Sequence, residues 1–151
     1  MARPMTLYSR HVFPHLLDWI MSQPAFMAAR EELLATVEGD VLEIGFGTGL
    51  NLDYYPTTVH SLTTVDVNPG VHHLAKKRLA KHRMPVRFEL ISGERLPMAD
   101  NSYDAVVSTW TLCSIPDVAS ALKEIRRVLK PEGKFFFVEH GLSPNPSVAK
   151  W

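Results

Sequence analysis

Glycine stands at every second position in part of the segment VLEIGFGTGLN, residues 41–51, and an acid, Glu43, precedes the first glycine by two residues. The glycines are Gly45, Gly47 and Gly49. Without side chains, the backbone can turn sharply and approach a ligand closely, with amide groups that point at it. A carboxylate beside such a loop would repel a pyrophosphate, but it suits a ligand that carries an amino group or another cation. The segment therefore predicts a small-molecule site whose ligand class the loop alone leaves open.

Two common phosphate-binding loops fit the segment poorly. The dinucleotide pattern G-x-G-x-x-G requires a glycine where Leu50 stands, and a Walker loop is excluded because no Gly-Lys-Ser or Gly-Lys-Thr follows. Asp66 adds a second requirement, because it ends the next β-rich run, about 20 residues after Gly45. A carboxylate at that position can accept hydrogen bonds from both hydroxyls of a ribose. We expect a ligand with an adenosine-like sugar and no pyrophosphate.

Short β-rich runs alternate with helical runs after residue 39. The predicted strands span residues 40–46, 61–67, 86–92, 103–110 and 133–140. This alternation predicts an α/β fold, a doubly wound parallel sheet with helices on its faces. Apolar residues at helical spacing predict two earlier helices within residues 12–34, and Asn68 and Asp117 are predicted to cap two later ones. The glycines then lie at the carboxyl end of the first strand, where open parallel sheets bind ligands.

Length, charge and composition limit the class of protein. The 151 residues fit one structural domain, which we divide into N-terminal helices, 1–38, and an α/β region, 39–151. Lysine plus arginine equals aspartate plus glutamate, 16 each, so no nucleic-acid partner is expected. Cys113 has no second cysteine to pair with, no apolar run approaches the ~20 residues that span a bilayer, and the histidines show no metal-ligand spacing. We therefore predict a cytoplasmic protein without a transmembrane segment or a metal.

Several motifs in register resemble one family, the class I S-adenosylmethionine-dependent methyltransferases, and within it the small-molecule type 11 group. They are VLEIGFGTG, VDVNPG, SGERLPMADNSYDAVVSTWTLCSIPD and ALKEIRRVLKPEGKFFFVEH, which together cover residues 41–140. The resemblance implies a Rossmann-like sheet, S-adenosyl-L-methionine as the cofactor, and transfer of its methyl group to a small acceptor. The segments TLCSIPD and VEHG are most similar to those of the branch that contains thiol, phospholipid and quinone methyltransferases.

The resemblance also implies roles for particular residues. Those expected around the methionine part of the cofactor are Glu43, Gly45, Gly47 and Gly49. Those expected along the adenine are Val67, Ser92, Gly93 and Glu94, with Ser92 at a position where the commoner pattern has an aspartate. Asp66 would hold the ribose, and Thr109 and Trp110 would lie beside the methionine and the reaction centre.

Methyl transfer from a sulfonium needs little chemistry from the protein, because the leaving group is already good. The protein has to hold the nucleophile, the methyl carbon and the sulfur in line, and an aromatic face such as Trp110 or Tyr8 could stabilise the cation. Candidates for a general base are His140, Glu139 and His11. The N-terminal segment LYSRHVFPHLLDWIM suggests an apolar acceptor, with Tyr8 and His11 at the entrance and Trp110 as a wall of the pocket.

Other interpretations remain at this stage. One is a NAD-dependent oxidoreductase, which Leu50 and Glu43 disfavour, and another is a non-catalytic protein that keeps an S-adenosylmethionine pocket as a relic. In the family two further strands normally follow the fifth, so we expect the sequence to be C-terminally incomplete. The fifth strand would then be an edge with unpaired backbone groups, which predicts self-association through that strand.

Overall fold

All five strands of the sheet are parallel, in the order β3-β2-β1-β4-β5. The structure is a computed structural model that describes residues 13–141. The strands are β1 (Gly39–Ile44), β2 (Val59–Val65), β3 (Val86–Glu89), β4 (Tyr103–Thr109) and β5 (Leu129–Val138). The strand order reverses between β1 and β4, which opens a crevice at the carboxyl ends of these two strands. The doubly wound parallel sheet predicted from the sequence is confirmed.

Four helices accompany the strands within the described part of the chain. They are α1 (Phe13–Met21), α2 (Pro24–Leu34), α3 (Pro69–Leu79) and α4 (Val118–Val128). Both predicted caps are confirmed: Asn68 accepts a hydrogen bond from the amide of Gly70 at 2.8 Å, and Asp117 accepts one from the amide of Ser120 at 3.0 Å. Each cap satisfies a backbone amide at a helix start that has no partner within the helix.

The core lies on both faces of the two central strands. Val41 of β1 packs into a cluster with Leu34 of α2 and Ala75 of α3, whereas its neighbour Leu42 packs into a second cluster with Ile125 of α4. Consecutive strand residues point to opposite faces of a sheet, and here both faces are covered by helices. This double coverage explains why buried residues follow one another in β1 and β4 rather than alternating with exposed ones.

The strands end earlier than the sequence predicts. β1 ends at Ile44 rather than at residue 46, and β2 and β3 also stop short, because the residues beyond them turn into the loops that border the crevice. β5 instead begins early, at Leu129, directly after α4. Its pairing with β4 is irregular at the Pro-Glu-Gly segment, where Tyr103 pairs with Leu129 and Ala105 with Lys134. The segment therefore forms a bulge within the strand.

Candidate functional site

A cavity of about 330 Å³ lies at the carboxyl ends of β1, β2 and β4. Many of the residues that the sequence analysis assigned to the cofactor line it. They are Gly45, Gly47, Asp66, Val67, Ser92, Gly93, Thr109 and Trp110. The sheet therefore brings together residues from three separate motifs at the one edge where parallel sheets bind ligands.

The loop after β1 needs glycine for two different reasons. Gly45 has φ of +79°, and a Cβ there would collide with the side chain of Thr111. Gly47 has φ of +56° and open space around it, so only its backbone conformation requires glycine. The amide of Gly47 donates a hydrogen bond to Oδ2 of Asp66 at 2.8 Å.

Asp66 joins the loops that follow β1 and β2. While Oδ2 accepts from Gly47, Oδ1 accepts from the amide of Asn68 at 2.8 Å. Each carboxylate oxygen has a further lone pair, so the half-buried carboxylate can also accept from ribose hydroxyls in the cavity. Val67 is 67% exposed beside it and offers an apolar surface to a flat ring.

Glu43 does not line the cavity but lies buried behind the glycine loop, 1% exposed. Its Oε1 accepts a hydrogen bond from Nδ2 of Asn51 at 2.8 Å, and its Oε2 accepts one from the hydroxyl of Tyr55 at 2.8 Å. Burial disfavours the charged carboxylate and raises the pKa of Glu43 to about 8. The acid that precedes the glycines therefore holds Asn51, which does line the cavity. Gly49 also lies behind the loop, against Phe46 and Leu52.

Arg30 of α2 was not predicted from the sequence as a site residue, but it is buried, only 3% exposed, and lines the cavity. Its Nε donates to Oδ1 of Asn51 at 2.9 Å, and its guanidinium carbon lies 4.8 Å from the ring centroid of Trp110. In the run AAREELL, an arginine followed by two acids is typical of a solvated helix face. The spacing of the helix could have indicated its burial. Arg30 is four residues from both Phe26 and Leu34, so it lies on the same face of the helix as these two apolar residues.

Trp110 follows β4 with an unusual backbone conformation, φ of +50°. Its amide donates to the carbonyl of Val138 at 2.8 Å, and its ring meets Phe26 edge to face at 5.1 Å between centroids. Arg30 thus already covers part of the Trp110 ring, which was predicted from the sequence to stabilise the sulfonium. A left-handed conformation is uncommon for a bulky residue and tends to persist at functional sites.

The model of a family described as a methyltransferase domain matches residues 42–137 of the chain. The chain belongs to the class I S-adenosylmethionine-dependent methyltransferases. The predicted family, fold and cofactor are thereby confirmed. The cofactor of this family is S-adenosylmethionine rather than a dinucleotide.

Two curated relatives and one solved structure show how far the similarity extends. The chain is 35% identical over 150 residues to human thiol S-methyltransferase TMT1B, covering 91% of the chain and 61% of the relative. It is 41% identical over 115 residues to TMT1B of Rattus norvegicus, covering 74% and 47%. A SAM-dependent methyltransferase structure from Aquifex aeolicus is similar in fold, with a TM-score of 0.73, 20% identity, and coverage of 88% and 76%. The chain spans about half the length of the curated relatives it matches.

The remaining predicted site residues fall into two groups, those that line the cavity and those that lie outside its lining. His140 lines the cavity, and the centroid of its ring lies 6.5 Å from the ring centroid of Trp110. Glu139 does not, because its Oε1 accepts from the amides of Thr111 and Leu112, both at 2.8 Å. Glu94 also lies outside the cavity lining, where its Oε1 accepts from the amide of Asp117 at 2.8 Å. The predicted entrance residues Tyr8 and His11 lie outside the described residues.

Helix α1 forms one wall of the cavity through Leu17 and Met21. Between them, Asp18 accepts a hydrogen bond from the hydroxyl of Thr48 in the glycine loop and forms an ion pair with Arg78 of α3 at 2.9 Å. Neither α1 nor any other helix within residues 13–141 has the length and apolar character to cross a membrane.

Proposed function

We propose that this chain binds S-adenosylmethionine in the cavity and transfers its methyl group to a small, apolar thiol. The observation that carries the proposal is the Asp66 carboxylate, which is bonded to the amide of Gly47 and faces the cavity from the end of β2. A glycine loop tied to a ribose-binding acid suits a nucleoside ligand without a pyrophosphate.

In this proposal the cofactor extends across the crevice. Val67, Ser92 and Gly93 would hold its adenine, Asp66 would bind its ribose, and Thr109 and Trp110 would lie beside its methionine part. The thiol loses its proton, the thiolate sulfur forms a bond to the methyl carbon, and the electron pair of the broken bond goes to the sulfonium sulfur. His140 is the general base candidate that lines the cavity.

The acceptor class is supported by two features. The human and rat relatives carry the name thiol S-methyltransferase. The cavity walls also include Leu17, Met21, Ile115 and Pro116, whose side chains suit an apolar acceptor. A thiolate is a strong nucleophile, so the site has to position it and exclude water rather than activate it strongly.

The test has two arms. In calorimetric titration we expect S-adenosylhomocysteine to bind and NAD not to bind, and binding of NAD alone would support the oxidoreductase instead. In the second arm, alkyl thiols, phenols, amines and a quinone are each incubated with protein and S-adenosylmethionine labelled in the methyl group. We expect the label to appear in the thiol. Label in the phenol, the amine or the quinone instead would refute the proposal that the acceptor is a thiol. Cofactor binding without any transfer would support the non-catalytic relic.

Two further parts of the proposal concern the protein's surroundings. We propose a cytoplasmic location, and self-association through β5, which within the described residues pairs only with β4. Phe137 of this strand is 54% exposed and stacks with Phe135 at 5.0 Å between centroids. Sedimentation of the chain and of Phe137→Ser tests the second part, since a monomer that does not change with concentration would refute it.

A further inference from the structure

Arg30 is a buried cation that, in the part of the chain the structure describes, is not contacted by any anion. Its Nε and Nη1 donate to neutral acceptors, the side-chain oxygen of Asn51 at 2.9 Å and the carbonyl of Met21 at 2.8 Å. Within residues 13–141, none of the ion pairs includes Arg30, and its Nη2 donates no hydrogen bond. A guanidinium in this position retains unused N–H donors that face the cavity.

The nearby acids do not neutralise this charge. Glu43 is connected to Arg30 through Asn51, and because burial raises its pKa to about 8, it is mostly protonated at neutral pH. Asp18 is engaged by Arg78 and Thr48. Taking a charge out of water without a partner is unfavourable, and burial accordingly lowers the pKa of Arg30. Such a cation beside a cavity indicates an anionic ligand.

The order of the strands indicates which part of the ligand reaches Arg30. Asp66 follows β2, Trp110 follows β4, and β1 lies between these strands. A cofactor with its ribose at Asp66 therefore extends across β1 and ends beside Trp110, over which Arg30 is placed. That end of S-adenosylmethionine is its amino acid, and its carboxylate is the only anionic group of the molecule.

We propose that Arg30 binds the carboxylate of the cofactor's amino-acid end and that Asn51 positions the guanidinium for this contact. The inference rests on the proposed binding of S-adenosylmethionine and adds a residue that orients the amino-acid end of the bound cofactor. The single polar side chain of Asn51 contacts Arg30, Glu43 and Thr109, the last at 3.1 Å, so it cannot rotate without losing all three contacts. Glu43, the buried acid two residues before the first glycine, contributes by holding the side-chain amide of Asn51 in place.

The test compares two ligands that differ in one group, S-adenosylhomocysteine and S-adenosyl-3-thiopropylamine, which lacks the carboxylate. For the unaltered chain we expect the first to bind about 10-fold to 100-fold more tightly. In Arg30→Met this ratio should fall to near one, because only S-adenosylhomocysteine loses a contact. Asn51→Ala should lower the ratio partly while Arg30 is retained, a change that general loosening of the fold would not produce.

The controls separate this inference from the proposed function. Arg126→Met, at an exposed position of α4, should leave the ratio unchanged. A ratio near one in the unaltered chain, or an unchanged ratio in Arg30→Met, would overturn the inference even if both ligands bind. The same holds if Arg30→Met raises KM only for thiols that carry a carboxylate, which would assign Arg30 to the acceptor. If neither ligand binds the unaltered chain, the proposed function itself fails.

Discussion

Asp66 has two partners in the structure and, in our proposal, a third in the cofactor. Its oxygens accept from the amides of Gly47 and Asn68, so the same carboxylate shapes the loop and faces the ligand. We predict that Asp66→Ala weakens the binding of S-adenosylhomocysteine by roughly 1.5 to 3 kcal/mol, because a charge-assisted contact to the ribose is lost and the loop is less well ordered. Calorimetric titration measures the change.

Asp53→Ala is a suitable control for this substitution. Asp53 is 65% exposed, contacts His82 and does not line the cavity, so its removal should leave the dissociation constant unchanged. Asp66→Asn keeps one oxygen as an acceptor and should give an intermediate value. If Asp66→Ala binds as tightly as the unaltered chain, the ribose lies elsewhere.

Glu43 makes stability depend on pH in the direction opposite to an ordinary surface acid. Its folded pKa of about 8 is above its usual 4.5, so the folded state holds the proton more tightly than the unfolded state. The resulting stabilisation is complete below the unfolded pKa and is lost as pH rises through the folded pKa. We predict that Glu43→Gln, which imitates the protonated acid, flattens the decline in unfolding free energy between about pH 5 and pH 8.

Urea unfolding at several pH values within that window measures this slope. Glu32→Gln, at an exposed position of α2, serves as the control and should retain the decline of the unaltered chain. A slope that is the same in Glu43→Gln and in the unaltered chain would mean that Glu43 is charged when buried, and Arg30 would then have a charged neighbour.

The sequence predicted those site residues whose requirement is local. Gly45 and Gly47 are needed by their own backbone, and Asp66 is placed by the end of its own strand. Arg30 and Asn51 could not be predicted in the same way, because their roles depend on contacts between residues 21 positions apart. A buried arginine and an exposed one have the same local sequence signature until the packing of the helix is known.

At the scale of elements, hydrogen bonds from Arg127 connect α4 to the loop between β3 and β4. Its Nη2 donates to the carbonyl of Leu96 at 2.9 Å, its Nη1 donates to that of Met98 at 2.8 Å, and its Nε donates to Glu124 at 2.8 Å. We predict that Arg127→Met lowers the unfolding free energy by about 1 to 3 kcal/mol, because two loop carbonyls lose their donor. Urea unfolding at neutral pH measures the change.

The neighbouring arginine provides the matched control. Arg126→Met alters the same helix at an exposed position and should change the unfolding free energy by less than about 0.5 kcal/mol. Comparable losses in both variants would show that α4 depends on arginine for helix stability rather than for its attachment to the loop.

Helix starts and strand ends differ in how well the sequence predicts them. Asn68 and Asp117 were recognised as caps because the cap and its amide are two or three residues apart. The early start of β5 was missed, because it depends on pairing between Leu129 and Tyr103 of another strand. Proline and glycine within Pro-Glu-Gly predict a turn locally, whereas the neighbouring strand accommodates the segment as a bulge.

At the scale of the whole molecule, the N-terminal helices complete the cavity that the sheet begins. Helix α2 reaches it through Arg30, and α1 is held over it by Asp18, which contacts Thr48 of the glycine loop and Arg78 of α3. Division of the chain at residue 38 therefore separates two walls of one cavity. The prediction of one structural domain implies that the cofactor and α1 stabilise each other.

Hydrogen exchange followed by mass spectrometry tests this coupling. With S-adenosylhomocysteine at about 100 times its dissociation constant, any opening that breaks the site costs about 2.7 kcal/mol more, so we predict that amides of α1 exchange up to about 100-fold more slowly. Local openings of α4, which does not line the cavity, should be unaffected and provide the internal control. In Asp18→Ala, α1 can open without disturbing the glycine loop, and its protection by the ligand should largely disappear. Equal protection of α1 in both chains would mean that the helix is held by the apolar contacts of Leu17 and Met21 instead.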